Sequence, residues 1–175
     1  MSNFLPGTTI ETKIEVGICE KLFMPMFLGG GFTLSQVVQV TGLEGYIIQN
    51  WVKRKFIKPP DGKKYSRDHL CRIFNINILK ECFTLEQSVF VLGYINVSAD
   101  IQIGDSDLYT FFIDALAMSA EGKAIESALA LSAFKAHSEL TQRRLKQALK
   151  IMIMAYEVYL AKRQAAALYE SLDFL

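Results

Sequence analysis

The densest chemistry in this chain is cationic. Between Lys53 and Arg72 stand eight basic residues, Lys53, Arg54, Lys55, Lys58, Lys63, Lys64, Arg67 and Arg72, against two acids, Asp61 and Asp68. The span carries +6 while the whole 175-residue chain carries +1, so the rest sums to −5. Ammonium and guanidinium groups at this density bind polyanions, phosphate chains above all. The local patch, not the total charge, sets such affinity. A solvated charged loop is the plainer reading, but the charges sit on a turn-and-loop pattern that argues for more.

Few other residues have the spacing that catalysis or metal binding needs. Cys19, Cys71 and Cys82 are scattered with no CxxC pair, which disfavours zinc and a disulfide scaffold and fits a reducing, cytoplasmic setting. His69 and His137 lie 68 residues apart, and neither neighbours a nucleophile. Asp105 and Asp107 lack the rest of a calcium loop. Gly29-Gly30-Gly31 is not followed by the Lys-Ser/Thr of a phosphate loop and reads as a flexible joint. Ser35, Ser66 and Ser138 read as helix-start residues. The expectation is no catalytic residue, no metal, no cofactor and no enzyme. The N-terminus shows no basic stretch before an apolar run, and no apolar run approaches the ~20 residues of a membrane span.

The elements that must position the cations are short. Thr33 with Gln36 makes a capping box, and Leu34, Val37 and Val38 give the following helix one apolar face. Its β-branched residues make it weak alone, so packing must hold it. Gly42 stands where the chain turns, and glycine takes a positive φ there freely. A second helix over 44–54 has Ile48, Trp51 and Val52 on its buried side, leaving Tyr46, Gln49, Asn50 and Lys53 nearer the open side. A basic loop over 59–65 follows, and Ser66 caps a third helix. That is the layout of a winged helix-turn-helix.

The stretch Thr33 to Thr84 resembles the DNA-binding head of the MerR-type regulators. The block GLEGYIIQNWVKR…IKPPDGKKYSRDHLCRIFNINILK is similar, more closely, to a bacterial family of unassigned activity with a MerR-like head. The Gly42-Leu43 turn, the Ile57-Lys58-Pro59 exit, Tyr65-Ser66 and Phe83-Thr84-Leu85-Glu86 carry the resemblance. The chain departs from the MerR pattern in a shorter wing, Pro60 to Lys64, in Tyr46 and Gln49 where basic residues are usual, and in a head that starts 32 residues in. The resemblance implies double-stranded DNA as partner, with Tyr46, Gln49 and Asn50 nearest the bases and Lys53, Arg54, Lys58, Lys63, Lys64 and Arg67 on the phosphates. The departures motivate a second reading, a protein-interaction module that keeps the helix-turn-helix frame without DNA. MerR relatives often sense a metal or small molecule beyond the head. No cysteine follows Cys82, so thiolate metal sensing is not expected, whereas a small-molecule effector in an apolar pocket over residues 108–159 competes with plain core.

The rest of the chain divides around this head: an N-terminal extension over 1–31, the head over 32–97, and a helical dimerisation or effector region over 105–175. Residues 1–10 read as loosely ordered. Ile10, Ile14 and Ile18 allow a short helix to about Lys21, and Pro25 breaks the apolar Leu22–Leu28. Asn75 and Asn77 sit mid-helix, where propensity disfavours them. Thr84 and Gln87 repeat the capping box. A helix capped by Asp105 or Ser106 is expected over 107–119. Residues 123–175 hold no glycine or proline and are expected to bend near His137-Ser138, with the final helix over 139–172. Its band from Ile151 to Leu160 is apolar nearly all round, which calls for cover on most sides. A homodimer through Ile151, Met154 and Val158 would supply it; a buried central helix in a monomer is the alternative. The heptad register reads as poor. The fold class expected is mainly α, a winged helix-turn-helix followed by a helical dimerisation region.

Overall fold

Three helices begin by one rule. Thr33, Ser66 and Thr84 each accept the backbone N–H three residues on, and the side chain there, Gln36, His69 or Gln87, returns a bond to the cap's own N–H. Two otherwise unpaired donors are satisfied at each start, worth about 1 kcal/mol apiece. The computed structural model describes residues 4–97, 102–123 and 138–172. Among them are α1 (Ile18–Met26), α2 (Leu34–Thr41), α3 (Gly45–Lys53), α4 (Arg67–Leu79), α5 (Leu85–Tyr94), α6 (Asp105–Ala120) and α7 (Glu139–Glu170). The chain is mainly helical, and β structure among the described residues is limited to isolated bridges. The helix expected between 123 and 134, and His137, fall outside the described residues, while Ser138 caps α7 through the Thr141 N–H.

Helix α4 is the spine. Leu70, Cys71, Ile73, Phe74, Asn75, Ile76, Ile78 and Leu79 are all buried, so the helix is covered on nearly every side. It packs against α2, α5, α6 and α7. Burial of each large apolar side chain contributes roughly 1.5–3 kcal/mol. The buried side chains form one continuous cluster from Leu5 to Tyr156. At its centre the Phe74 and Tyr109 rings lie 5.3 Å apart, and the Tyr109 hydroxyl donates to the Pro6 carbonyl at 2.6 Å. Of the two mid-helix asparagines, Asn77 donates to the Gly7 carbonyl at 3.0 Å. Asn75 is fully buried, and its side-chain amide has no hydrogen-bond partner among the described residues.

Several local expectations change. Residues 4–10 are not loose, while 1–3 lie outside the described residues: Leu5 is fully buried, and Thr8 bridges Leu5 and Ile10 through its hydroxyl. A pattern rule sees only polar ends, Pro6 and Gly7 there, because the partners, Phe74 and Tyr109, are far along the chain. The isoleucine series does not make a helix from Ile10; α1 starts at Ile18, after a left-handed Gly17, and runs through an exposed Pro25 to Met26. Helix α6 starts at Asp105 with Gly104 as cap, not Asp105 or Ser106. The reason is tertiary. Asp68 on α4 accepts the Ser106 N–H at 2.9 Å, and Asp105 turns to Arg72. A carboxylate from another helix does the work of a local cap.

Helix α7 buries Leu145, Leu149, Met152 and Tyr156 against the body. Tyr156 meets Phe112 edge-on at 6.2 Å. Of the aromatic and methionine side chains over 108–159, weighed between an apolar pocket and plain core, Tyr109, Phe112, Met152 and Tyr156 are buried in the core. Met154 and Val158 remain exposed and Ile151 half-buried.

Candidate nucleic-acid interface

Helix α3 turns Ile48 and Trp51 inward, as the apolar spacing requires. Tyr46, Gln49, Asn50 and Lys53, at spacings of three, four and seven, share the solvent face; Tyr46 is 70% exposed. One side of a nine-residue helix thus offers an aromatic ring, two amides and an ammonium. The helix is held to α2 by the Thr41-Gly42-Leu43 corner, where Gly42 is left-handed and its N–H closes on the Val38 carbonyl.

The end of α3 is unusual. The Phe56 N–H bonds the Trp51 carbonyl at 2.9 Å and the Lys55 N–H bonds the Val52 carbonyl at 3.0 Å. This is the pattern that ends helices with a left-handed residue, most often glycine. Here that residue is Lys55, at φ 62°. The basic loop repeats the choice. Asp61 and Lys64 form a bridge closed by Lys64 N–H to the Asp61 carbonyl at 2.7 Å, with Gly62 at φ 50° and Lys63 at φ 65° between them. Two left-handed central residues define the turn that joins antiparallel strands most tightly. Next to the turn, Tyr65 forms a second isolated bridge, with Phe32 before α2, exchanging bonds of 2.9 and 2.7 Å. Among the described residues, Lys55 and Lys63 are the only non-glycine positions with positive φ.

The loop is tied down by His69. Its Nδ1 accepts the Ser66 N–H at 3.1 Å, Nε2 lies 3.2 Å from the Pro59 carbonyl, and its ring meets Tyr65 edge-on. A neutral ring with the proton on Nε2 satisfies both bonds. His69 is thus a brace between the loop and α4, a role that its first-turn position alone does not reveal.

The eight cations separate into two sets. Arg54 pairs with Glu86 on α5 and lies 4.6 Å above the Phe56 ring. Arg67 pairs with Glu20 at 2.8 Å, and Arg72 bonds the Phe56 carbonyl and Asp105, both at 3.2 Å. Lys53, Lys55, Lys58, Lys63 and Lys64 are exposed and form no ion pair among the described residues. Of the expected phosphate contacts, Arg54 and Arg67 are engaged within the chain. Lys55, which the sequence did not single out, joins the exposed set.

A family model matches residues 32–112; its description is Domain of unknown function (DUF1836). The match is a likeness over less than half of the chain. It begins at Phe32, the bridge partner of Tyr65, and ends within α6, so it spans the α3 face and the basic loop. No curated protein and no solved structure matches the chain.

Behind the basic loop lies a cleft of about 690 Å³, bordered by Lys58, His69, Arg72, Asn96 and Asp105. Asn96 stitches its far wall through paired 2.8 Å bonds with Ile103. Burial raises the Asp105 carboxyl, and the Arg72 guanidinium opposes that shift. Cys19 and Cys71 are buried, and burial pushes the Cys19 thiol up to about 12 and the Cys71 thiol well above its usual value, so neither is held as a thiolate. Among the described residues no group of three or more His, Cys, Asp or Glu could hold a metal, and no helix is long and apolar enough to cross a membrane.

Proposed function

We propose that this chain is a DNA-binding regulator of MerR-like, winged helix-turn-helix type, acting as a homodimer. The observation that carries the reading is the pair Lys55 and Lys63. Both occupy left-handed positions where glycine costs nothing, and a lysine there costs about 1–2 kcal/mol. Both lie in the basic segment beside the exposed face of α3. Charge stands at both positions against backbone preference, which suits a surface whose work is to meet phosphates. In this reading α3 enters the major groove with Tyr46, Gln49 and Asn50 toward the bases, amides being suited to adenine. Lys53, Lys55, Lys58, Lys63 and Lys64 meet the backbone, and the turn at 61–64 serves as a short wing. Titration with duplex DNA at about 50 and 200 mM salt tests it. Binding at low salt that weakens steeply at high salt supports the proposal; no binding at low salt removes it.

A second reading is favoured by one observation. Tyr46, 70% exposed, and Gln49 stand where the MerR pattern has basic residues, which suits a protein partner better than a phosphate chain. Replacing Lys63 and Lys64 by glutamate separates the two. The DNA reading expects lost DNA affinity; the interaction module expects unchanged capture of its protein partner and no enriched DNA from cells.

A further inference from the structure

Gly93 is a glycine without a local reason. It is the last residue but one of α5, and the helix is closed by Ile95. Its φ is not positive, so it is not the left-handed stop that glycine commonly provides. A Cβ built there would meet nothing within 4 Å, so no neighbour crowds it either. Glycine within a helix costs stability relative to alanine. What the missing side chain leaves is room. Gly93 borders the cleft of about 690 Å³ behind the basic loop.

The cleft combines charge with apolar surface. Lys55, Lys58 and Arg72 border it together with Asp68 and Asp105, three cations against two carboxylates and a net +1. Both carboxylates are engaged: Asp68 accepts the Ser106 N–H, and Asp105 pairs with Arg72. Arg72 spends Nε on the Phe56 carbonyl and Nη1 on Asp105, while Nη2 makes no bond among the described residues. Burial raises the Asp105 carboxyl, and both Arg72 and the exposed Lys58 oppose that shift. A guanidinium and an ammonium therefore converge beside a carboxylate that can neutralise only one of them. Leu92, Ile103 and Leu108 supply apolar border.

We infer that this cleft binds a small organic acid, with one carboxylate held by Arg72 and Lys58 and an apolar body against Leu92, Ile103 and Leu108. Volume requires the body. A cleft of about 690 Å³ falls in the range of roughly 300–1,000 Å³ that small-molecule sites occupy, far more than a bare ion fills. Charge requires a monoanion. The net +1 attracts one carboxylate, whereas Asp68 and Asp105 repel further negative charge, which disfavours the phosphate chain of a nucleotide. The planar guanidinium suits a carboxylate in particular. The site lies in the head, between the basic loop, α4, α5 and the start of α6, apart from the buried Tyr109, Phe112 and Tyr156. Lys58 also belongs to the exposed set that meets phosphate in the DNA reading, but nothing in the site depends on DNA.

The test titrates the full chain, without DNA and at low salt, with phenylbutyrate, indoleacetate and octanoate, each beside its neutral amide. Calorimetry is expected to show one site per chain for at least one acid, with its amide weaker by about tenfold or more, the worth of a charge-assisted hydrogen bond. Lys58→Gln, at an exposed position, is expected to weaken the acid by about tenfold. Gly93→Phe is expected to block the acid without lowering the melting temperature, since a Cβ at 93 meets nothing. Arg72→Gln combined with Asp105→Asn removes both partners of the pair, so neither charge is left alone in the cleft; it is expected to abolish acid binding with helicity by circular dichroism retained. Three acids that all fail to bind, an amide that binds as tightly as its acid, or undiminished acid binding by a folded Gly93→Phe variant overturns the inference. Acid and duplex are titrated separately, so the loss of either reading leaves the other standing.

Discussion

The guanidinium of Arg67 lies 5.0 Å from the centre of the Phe23 ring. Its Nη2 is 2.8 Å from Glu20, so the first residue of α4 grips α1 from two sides, by charge and by face. Phe23 is itself buried against Tyr109 and Phe27. The basic segment therefore contributes one of its arginines to holding the N-terminal helix rather than to the open surface.

Replacing Arg67 by alanine is expected to lower the stability by about 1–2 kcal/mol, the range of a partly desolvated cation over an aromatic ring. The salt dependence of any DNA binding should stay as it is. Chemical unfolding and duplex titration measured together give the answer. A slope shallower by one phosphate with unchanged stability would place Arg67 on the DNA side after all.

Lys55 makes the opposite trade. Lys55→Gly relieves a left-handed lysine at the end of α3 and is expected to stabilise the chain by about 1 kcal/mol. If the ammonium is held there for phosphate, the same variant reduces the slope of log affinity against log salt by about one. A more stable protein with an unchanged slope would show that Lys55 faces no phosphate.

Local signals predicted local structure well. Thr33, Ser66, Ser138 and Thr84 were readable as caps because a cap is decided within four residues. The solvent face of α3 was readable because Ile48 and Trp51 fix its rotation. What escaped was decided at long range. Asp68 caps α6 across 38 residues, and Leu5 to Thr8 fold onto α4 and α6 through contacts with residues about 70 and 100 positions away. Helix α7 shows a second cause. Leu145, Leu149, Met152 and Tyr156 face the body at heptad spacing while Ile151, Met154 and Val158 repeat that spacing on the other side. Two apolar stripes on one helix cancel in any single periodicity, and the register reads as poor although each stripe is regular. The candidate site was legible in its lysines and not in its arginines, whose partners Glu20, Glu86 and Asp105 lie 47, 32 and 33 residues away.

Gly7 is the narrowest point in the N-terminal turn. It sits at φ 75°, and a Cβ built there would lie 2.5 Å from the Phe74 carbonyl oxygen, on the backbone of the central helix. The backbone conformation and the approach both exclude a side chain. Gly7→Ala is expected to cost about 2–4 kcal/mol, from left-handed strain plus displacement of the turn from α4. Thermal unfolding measures it. Because the Gly7 carbonyl also accepts from Asn77, the loss should exceed that of Gly62→Ala, where nothing lies within 4 Å. Equal losses at the two glycines would mean that the turn is not packed on Phe74.

Asp114 gives a prediction in pH. It is 7% exposed on α6, and its Oδ1 accepts the Gly17 N–H at 2.9 Å just before α1 begins. Burial raises its carboxyl above the ordinary 3.8, and the Gly17 bond offsets only part of that. A folded-state pKa above the unfolded one means that folding favours the protonated acid. The stability this contributes is fully present below the ordinary value and is lost as pH rises through the raised one. At neutral pH the charged Asp114 therefore weakens the fold. Asp114→Asn keeps an oxygen to accept from Gly17 and carries no charge, so it is expected to melt higher than the parent at pH 7. As pH falls through the raised value the folded parent takes up its proton, and the two melting curves should have converged below the ordinary 3.8. Asp105, also raised by burial, is present in both proteins and drops out of the difference. A variant that melts lower than the parent at pH 7, or a gap that widens on acidification, would show that the charge on Asp114 supports the α1–α6 contact instead of straining it.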